Sequence, residues 1–246
     1  MEQTPRDSSP SLGHGAHSGD GNALVSSGNV PENTSMLALL RPDWRSRAVV
    51  SIAPFNWALI PQCFEHSIAQ QLAQTFPQHH LLLPAGDSST PRFLYRSLIR
   101  RGIVEPFCTN LDDVWQRLLQ MLLSPEYADA LGTLMGISTR GLNVDAAICV
   151  YHRDHWLKPH TDREHRVLTQ VLYLSDSWDT NDGGHLRLLH SGDVDDIAAE
   201  IAPEMNSSVV MVRSERSWHA VIPVRNGTNR ARRSLLFHLS TEAVIE

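Results

Sequence analysis

The chain has 246 residues, 41% hydrophobic and 20% charged, with a formal net charge of −6, enough apolar material to close the core of one domain. The acidic balance excludes a dedicated nucleic-acid binder, and no apolar run reaches the length of a membrane span, so neither partner is expected. Three widely spaced cysteines without a CxxC pair (Cys63, Cys108, Cys149), and an opening MEQTPRDSSP that is not basic-then-apolar, predict a cytoplasmic protein with free thiols.

Gly, Ser, Pro and Asn supply 18 of the first 35 residues, leaving too little apolar surface to offset the entropy of ordering. Residues 1–35 are therefore expected to be a disordered tail, with His14 and His17 in it carrying no function, and 36–246 a single domain. Within that domain, 36–140 reads as helical support. Phe64, Ile68, Leu72 and Phe76 recur every four residues and predict a helix over 63–76. Asn110 is the expected N-cap of a second helix, with Asp112 and Asp113 in its first turn and Val114, Trp115, Leu118, Leu119 and Leu122 on its buried side. Ser124-Pro125 opens a third. From 141 to 240 the texture changes to short β-prone runs at 146–151, 167–174, 185–189, 208–213 and 234–239, separated by Gly, Asp, Asn and Pro clusters. Helices first and strands after predict an α+β chain in which N-terminal helices buttress a β-sandwich or open barrel.

The residues that carry chemistry lie in the strand-rich half. Pro159-His160-Thr161-Asp162 sets an imidazole and a carboxylate two positions apart, and Ser217-Trp218-His219 supplies a second imidazole. Two histidines and one carboxylate on one face of a metal leave three positions open, the facial arrangement of non-haem Fe(II) sites. Downstream, Arg232 and Ser234 share one face of a regular strand and Arg233 takes the other, although a bulge would exchange the two arginines. A guanidinium fork on that face suits a carboxylate. The nearby His152, His155, His165, His185 and His190 read as loop or surface residues, with His155 and His165 able to touch substrate. Arg153, Asp154 and Lys158 are further substrate-contact candidates, and His238 reads as a satisfied core histidine.

Taken in order, His160-x-Asp162, Trp178, Gly183-Gly184-x-Leu186-x-Leu188, Trp218-His219-x-Val221-x-Pro223-Val224 and Arg232-x-Ser234 resemble the 2-oxoglutarate/Fe(II)-dependent dioxygenases, in particular their prolyl-4-hydroxylase-like branch. The resemblance covers about residues 145–240. It implies a double-stranded β-helix (jelly-roll) core at 141–240 with the metal at its mouth. It also implies Fe(II), 2-oxoglutarate and O2 as cofactor and co-substrates, with ascorbate as an accessory. Carried over, His160, Asp162 and His219 would bind iron and act as the catalytic centre. Arg232 would pair with the distal carboxylate of 2-oxoglutarate beside Ser234, Tyr173 would hydrogen-bond the same carboxylate, and Tyr151 would line the pocket. Trp178 and the glycine pair are read as architectural. The stretch 225–231 is longer than the usual link to the arginine, which leaves Arg233 as the alternative anchor. The implied activity is hydroxylation of an unactivated C–H in a small molecule such as an amino acid or secondary metabolite. Hydroxylation of a prolyl or other protein residue, and a non-catalytic metal-binding jelly-roll, are the alternatives.

Overall fold

A computed structural model describes residues 35–81, 93–175, 178–225 and 230–241; the expected tail and its two histidines, but for Ser35, lie outside them. Two antiparallel sheets make the scaffold. The larger runs β1 (Val49–Ser51), β2 (Trp57–Ile60), β10 (Ser208–Val212), β7 (Arg166–Tyr173), β12 (Arg232–Ser240), β5 (Asn143–Tyr151), β3 (Leu94–Arg100) and β4 (Ile103–Val104), in that order. The smaller runs β6 (Leu157–His160), β11 (His219–Val221), β8 (Leu186–Leu189) and β9 (Ile197–Ile201). This is the jelly-roll that the family resemblance implies.

Alternation along the three central strands divides the interior in two. Leu168 and Leu172 of β7, Leu235, Phe237 and Leu239 of β12, and Ile148 and Val150 of β5 face one core, shared with the helices. Val171 and Tyr173, together with Cys149 and Tyr151, face the other, where they meet Leu186, Leu188 and Val221 of the smaller sheet. The helices α1 (His66–Gln74), α2 (Asp113–Leu123) and α3 (Pro125–Met135) cover the first face. Trp115 and Leu118 of α2 are fully buried there. Among the described residues, no helix is long and apolar enough to cross a membrane.

Two expectations are corrected. Asn110 ends a short 3₁₀ turn over Pro106–Asn110, and Asp112 is the N-cap of α2. Residues 36–140 also contribute four strands besides the helices, β1 to β4, all to the larger sheet. β1 and β4 are too short for an alternation to show, and β3 mixes Arg96 and Arg100 into its apolar run. Ser124 opens α3 as expected, accepting a hydrogen bond from the Tyr127 backbone N–H, and α3 ends on Gly136 in the left-handed region at φ 66°.

Buried polar side chains tie the layers together. The Tyr127 hydroxyl of α3 donates to Gln170 Oε1 at 2.7 Å, and Gln170 Nε2 donates to Ser208 Oγ at 2.9 Å. Asn206, at φ 67°, accepts from the Phe64 N–H at 2.8 Å and donates to the Phe64 carbonyl at 2.9 Å, pinning the start of the helical region to the turn before β10. Asn206→Ala removes both bonds and places a non-glycine, non-Asx residue in the left-handed region. The expected loss is about 2–4 kcal/mol in urea unfolding, and Asn206→Gly, which relieves only the backbone, should recover part of it.

Candidate active site

β6 and β11 bring the two imidazoles together. His160 and His219 are directly opposed residues of this antiparallel pair, with ring centroids 4.2 Å apart. Asp162 follows just beyond the end of β6. One ligand atom from each of His160, Asp162 and His219 lies within 4.8 Å of the others. Pro159 has no N–H to give to a ladder, and β6 accordingly sits at a sheet edge.

The backbone orients both rings. His160 Nδ1 lies 2.9 Å from the Lys158 carbonyl and His219 Nδ1 lies 3.0 Å from the Ser217 carbonyl. Each Nδ1 therefore carries the proton, and each Nε2 lone pair is free for a metal. Burial first, then His219, pushes the His160 imidazole down to about 4. Burial alone would raise the Asp162 carboxyl, but His219, the Thr169 hydroxyl, His238 and Arg166 outweigh it and hold it at about 2. At neutral pH these two groups are already in their metal-binding forms.

A relay missed in the sequence supports the carboxylate. Thr169 Oγ1 donates to Asp162 Oδ2 at 2.5 Å and lies 2.9 Å from His238 Nδ1, whose N–H it accepts. Arg166 reaches the other oxygen, Oδ1, at 3.3 Å. The available signal was Thr169 as a polar residue in the apolar run VLTQVLYL, on the same strand parity as Val171 and Tyr173. Thr169→Val should weaken Co(II) affinity by about 10- to 100-fold without changing far-ultraviolet circular dichroism, and Thr169→Ser should restore it.

His238 is buried and is pushed down to about 3, by burial first and then by Arg166. It stays neutral in the fold at pH values where the unfolded chain takes up a proton. Stability is therefore complete above about 6.5 and falls as the pH drops toward 3, by about 1.4 kcal/mol per pH unit. In metal-free protein, urea midpoints measured from pH 7 to 5 should decline, and His238→Gln should make the decline shallower.

Arg232 lies across the same cavity and is 2% exposed. Its Nη1 is 3.4 Å from Ser234 Oγ and its Nη2 is 3.5 Å from the Tyr173 hydroxyl. Its Cζ sits 4.8 Å from the Tyr151 ring centroid and 5.0 Å from that of Tyr173. Its Nε is buried without a partner, and no carboxylate pairs with it among the described residues. A buried guanidinium left in this state is costly, and the carboxylate of a bound dianion would satisfy it. Arg233 points to the other face, over Phe76 and hydrogen-bonded to Gln78. Gly184, at φ 67°, has the left-handed backbone that favours glycine, and a Cβ there would sit tightly at 3.0 Å from Trp178 and 3.3 Å from the Arg232 stem.

Tyr151, Arg232 and Ser234 line the cavity with the triad, while Tyr173 stands behind the guanidinium. His152, His155, His165, Arg153, Asp154 and Lys158 do not line it. His185, expected at the surface, is 8% exposed.

Residues 146–239 match the family model of the 2OG-Fe(II) oxygenase superfamily. That match covers the strand-rich half, which holds the triad and Arg232. The chain resembles a prolyl-4-hydroxylase from Pseudomonas putida at 20% identity and TM-score 0.54, over 84% of this chain and 100% of that one. It also resembles a prolyl hydroxylase from Trichoplax adhaerens, solved with a hypoxia inducible factor peptide, at 16% identity and TM-score 0.53, over 75% and 83% of the two chains. A third likeness is to the carbocyclase SnoK of nogalamycin biosynthesis, at 12% identity and TM-score 0.51, over 75% and 79%. These likenesses establish the shared fold. No curated protein matches the sequence. The N,N,O donor set and the buried arginine without an acidic partner, in one cavity, fit the Fe(II) and 2-oxoglutarate that the matched superfamily is named for.

Proposed function

We infer that the oxygenase hydroxylates an unactivated C–H bond of a small molecule such as an amino acid or a secondary metabolite. In this reading His160, Asp162 and His219 hold iron, and Arg232, Ser234, Tyr173 and Tyr151 receive 2-oxoglutarate. The observation that carries it is the buried, acid-free Arg232 opening on the same cavity as the three clustered ligand atoms. Bound iron and 2-oxoglutarate supply the oxidising chemistry, in which one atom of O2 enters the substrate and the other leaves in succinate with release of CO2. The chain's own residues do the positioning. The Lys158 and Ser217 carbonyls fix the imidazole tautomers, Thr169 and Arg166 aim the carboxylate, and the Arg232 fork orients the co-substrate. The cavity volume is about 670 Å³, a size suited to one small molecule beside the co-substrate.

Cytoplasmic location is part of the same inference, supported by Cys63, Cys108 and Cys149 being free and buried. The test is succinate release under Fe(II), 2-oxoglutarate, O2 and ascorbate across a panel of amino acids, metabolites and proline-containing peptides. Stimulation by a small molecule with matching hydroxylated product supports the reading. Stimulation by peptides alone would replace it with protein-residue hydroxylation, and absence of any coupled turnover with a binding-only protein.

A further inference from the structure

The active-site cavity carries more positive charge than the inferred metal chemistry uses. Five arginines line it, Arg96, Arg100, Arg163, Arg166 and Arg232, against a single acid, Asp162, among the described residues. The whole chain has the opposite balance, −6, so the excess is local. Three of the five are engaged elsewhere. The Arg96 guanidinium lies over Phe107 at 4.5 Å, Arg100 pairs with Glu105 at 2.6 Å, and Arg232 is the inferred co-substrate anchor. The two remaining arginines flank the metal site. Arg163 follows Asp162 directly and has no acidic partner among the described residues. Arg166 shares the Asp162 carboxylate at 3.3 Å. One turn holds both, with the Arg166 N–H donating to the Arg163 carbonyl at 2.9 Å.

The electrostatics then favour one kind of substrate. A divalent metal, Asp162, a dianionic co-substrate and Arg232 together carry no net charge, which leaves the charges of Arg163 and Arg166 in surplus, even with Arg166 in contact with Asp162. Guanidinium is weakly hydrated and matches carboxylate and phosphate oxygens as a fork. A cationic substrate would meet repulsion from both. The same cavity is also lined by aromatics: Phe93 stacks on Tyr151 with ring centroids 5.3 Å apart, and Tyr95 joins them in the lining. We propose that the substrate is an anionic small molecule whose carboxylate or phosphate is held by Arg163 and Arg166, with its apolar body against Phe93, Tyr95 and Tyr151. This rests on the iron and 2-oxoglutarate reading above. It adds the substrate's charge, and it places the anchored end next to Asp162.

The experiment uses full-length protein saturated with Mn(II) and 2-oxoglutarate under anaerobic conditions, so that nothing turns over. Calorimetry compares 3-phenylpropionate with its neutral amide and with 3-phenylpropylamine. The acid should bind about 10-fold more tightly than the amide, the amine more weakly still, and the preference should shrink in about 0.5 M salt. Arg163→Gln should bring the acid down to the affinity of the amide while leaving the dissociation constant of 2-oxoglutarate unchanged. Arg166→Gln should do the same and also alter Mn(II) affinity, because Arg166 touches Asp162. Equal binding of acid and amide, tighter binding of the amine, or an unaltered acid affinity in Arg163→Gln would overturn the proposal with the oxygenase reading intact. Failure of 2-oxoglutarate to bind the Mn(II) protein would overturn both.

Discussion

Asp162→Ala is expected to abolish 2-oxoglutarate turnover and to weaken Fe(II), Mn(II) and Co(II) binding by more than about 100-fold, since loss of a ligand should exceed the 10- to 100-fold cost of losing a supporting residue. The fold should survive, because Asp162 lies beyond the end of β6 and outside both apolar cores. The substitution also frees the Thr169 hydroxyl and the Arg166 guanidinium, which now share the carboxylate. Isothermal titration with Co(II), paired with succinate release, separates the outcomes. Wild-type metal affinity in the variant would remove Asp162 from the ligand set, and intact affinity with lost turnover would move it to a positioning role. Asp162→Glu keeps the charge but lengthens the arm, and should recover metal affinity ahead of activity, since activity depends on geometry to within about 1 Å.

Arg232→Met should produce two effects of opposite sign. The affinity for 2-oxoglutarate should fall by about 10- to 100-fold, the value of one or two charge-assisted hydrogen bonds at about 1.5–3 kcal/mol. The ligand-free protein should become more stable, with a higher melting temperature. In the wild type a guanidinium that is 2% exposed has neither an acidic partner nor a hydrogen bond on Nε, and an apolar side chain of similar length removes that penalty. Tyr151 and Tyr173 would then pack on the methionine. Thermal melts with and without 2-oxoglutarate read both effects in one experiment. A lower melting temperature without ligand would mean that Arg232 is a structural keystone and not a co-substrate anchor. Arg233→Met serves as the contrast: it loses contact with Phe76 and Gln78 on the opposite face and should leave co-substrate affinity at the wild-type level.

Much of this site was legible because local rules carried it. Strand parity separates Arg232 and Ser234 from Arg233, and the described β12 is regular there, opposing Arg232 to Tyr151 and Ser234 to both Cys149 and Tyr173. The apolar face of α2 and the cap of α3 follow from the helical repeat and from Ser124-Pro125. The elements that escaped are short or mixed. β11 is three residues long, β6 contains Pro159, and β3 interrupts its apolar run with arginines, so no period could accumulate in them. They matter out of proportion to their length, because β6 and β11 hold the two imidazoles.

What the sequence by itself determined is the inventory: the two imidazoles and the carboxylate, the arginine on its alternating strand, and a series of short strands that reads as a β-sandwich or open barrel and that the family resemblance narrows to a jelly-roll. Only the tertiary structure decided the convergence, setting His160 opposite His219, Thr169 between Asp162 and His238, and Arg163 and Arg166 in one cavity with Phe93, Tyr95 and Tyr151. The physical reason is range. Propensity and periodicity act over a few residues along the chain, whereas ligand geometry and local charge excess arise between residues dozens of positions apart, and burial and pairing of whole strands set those distances.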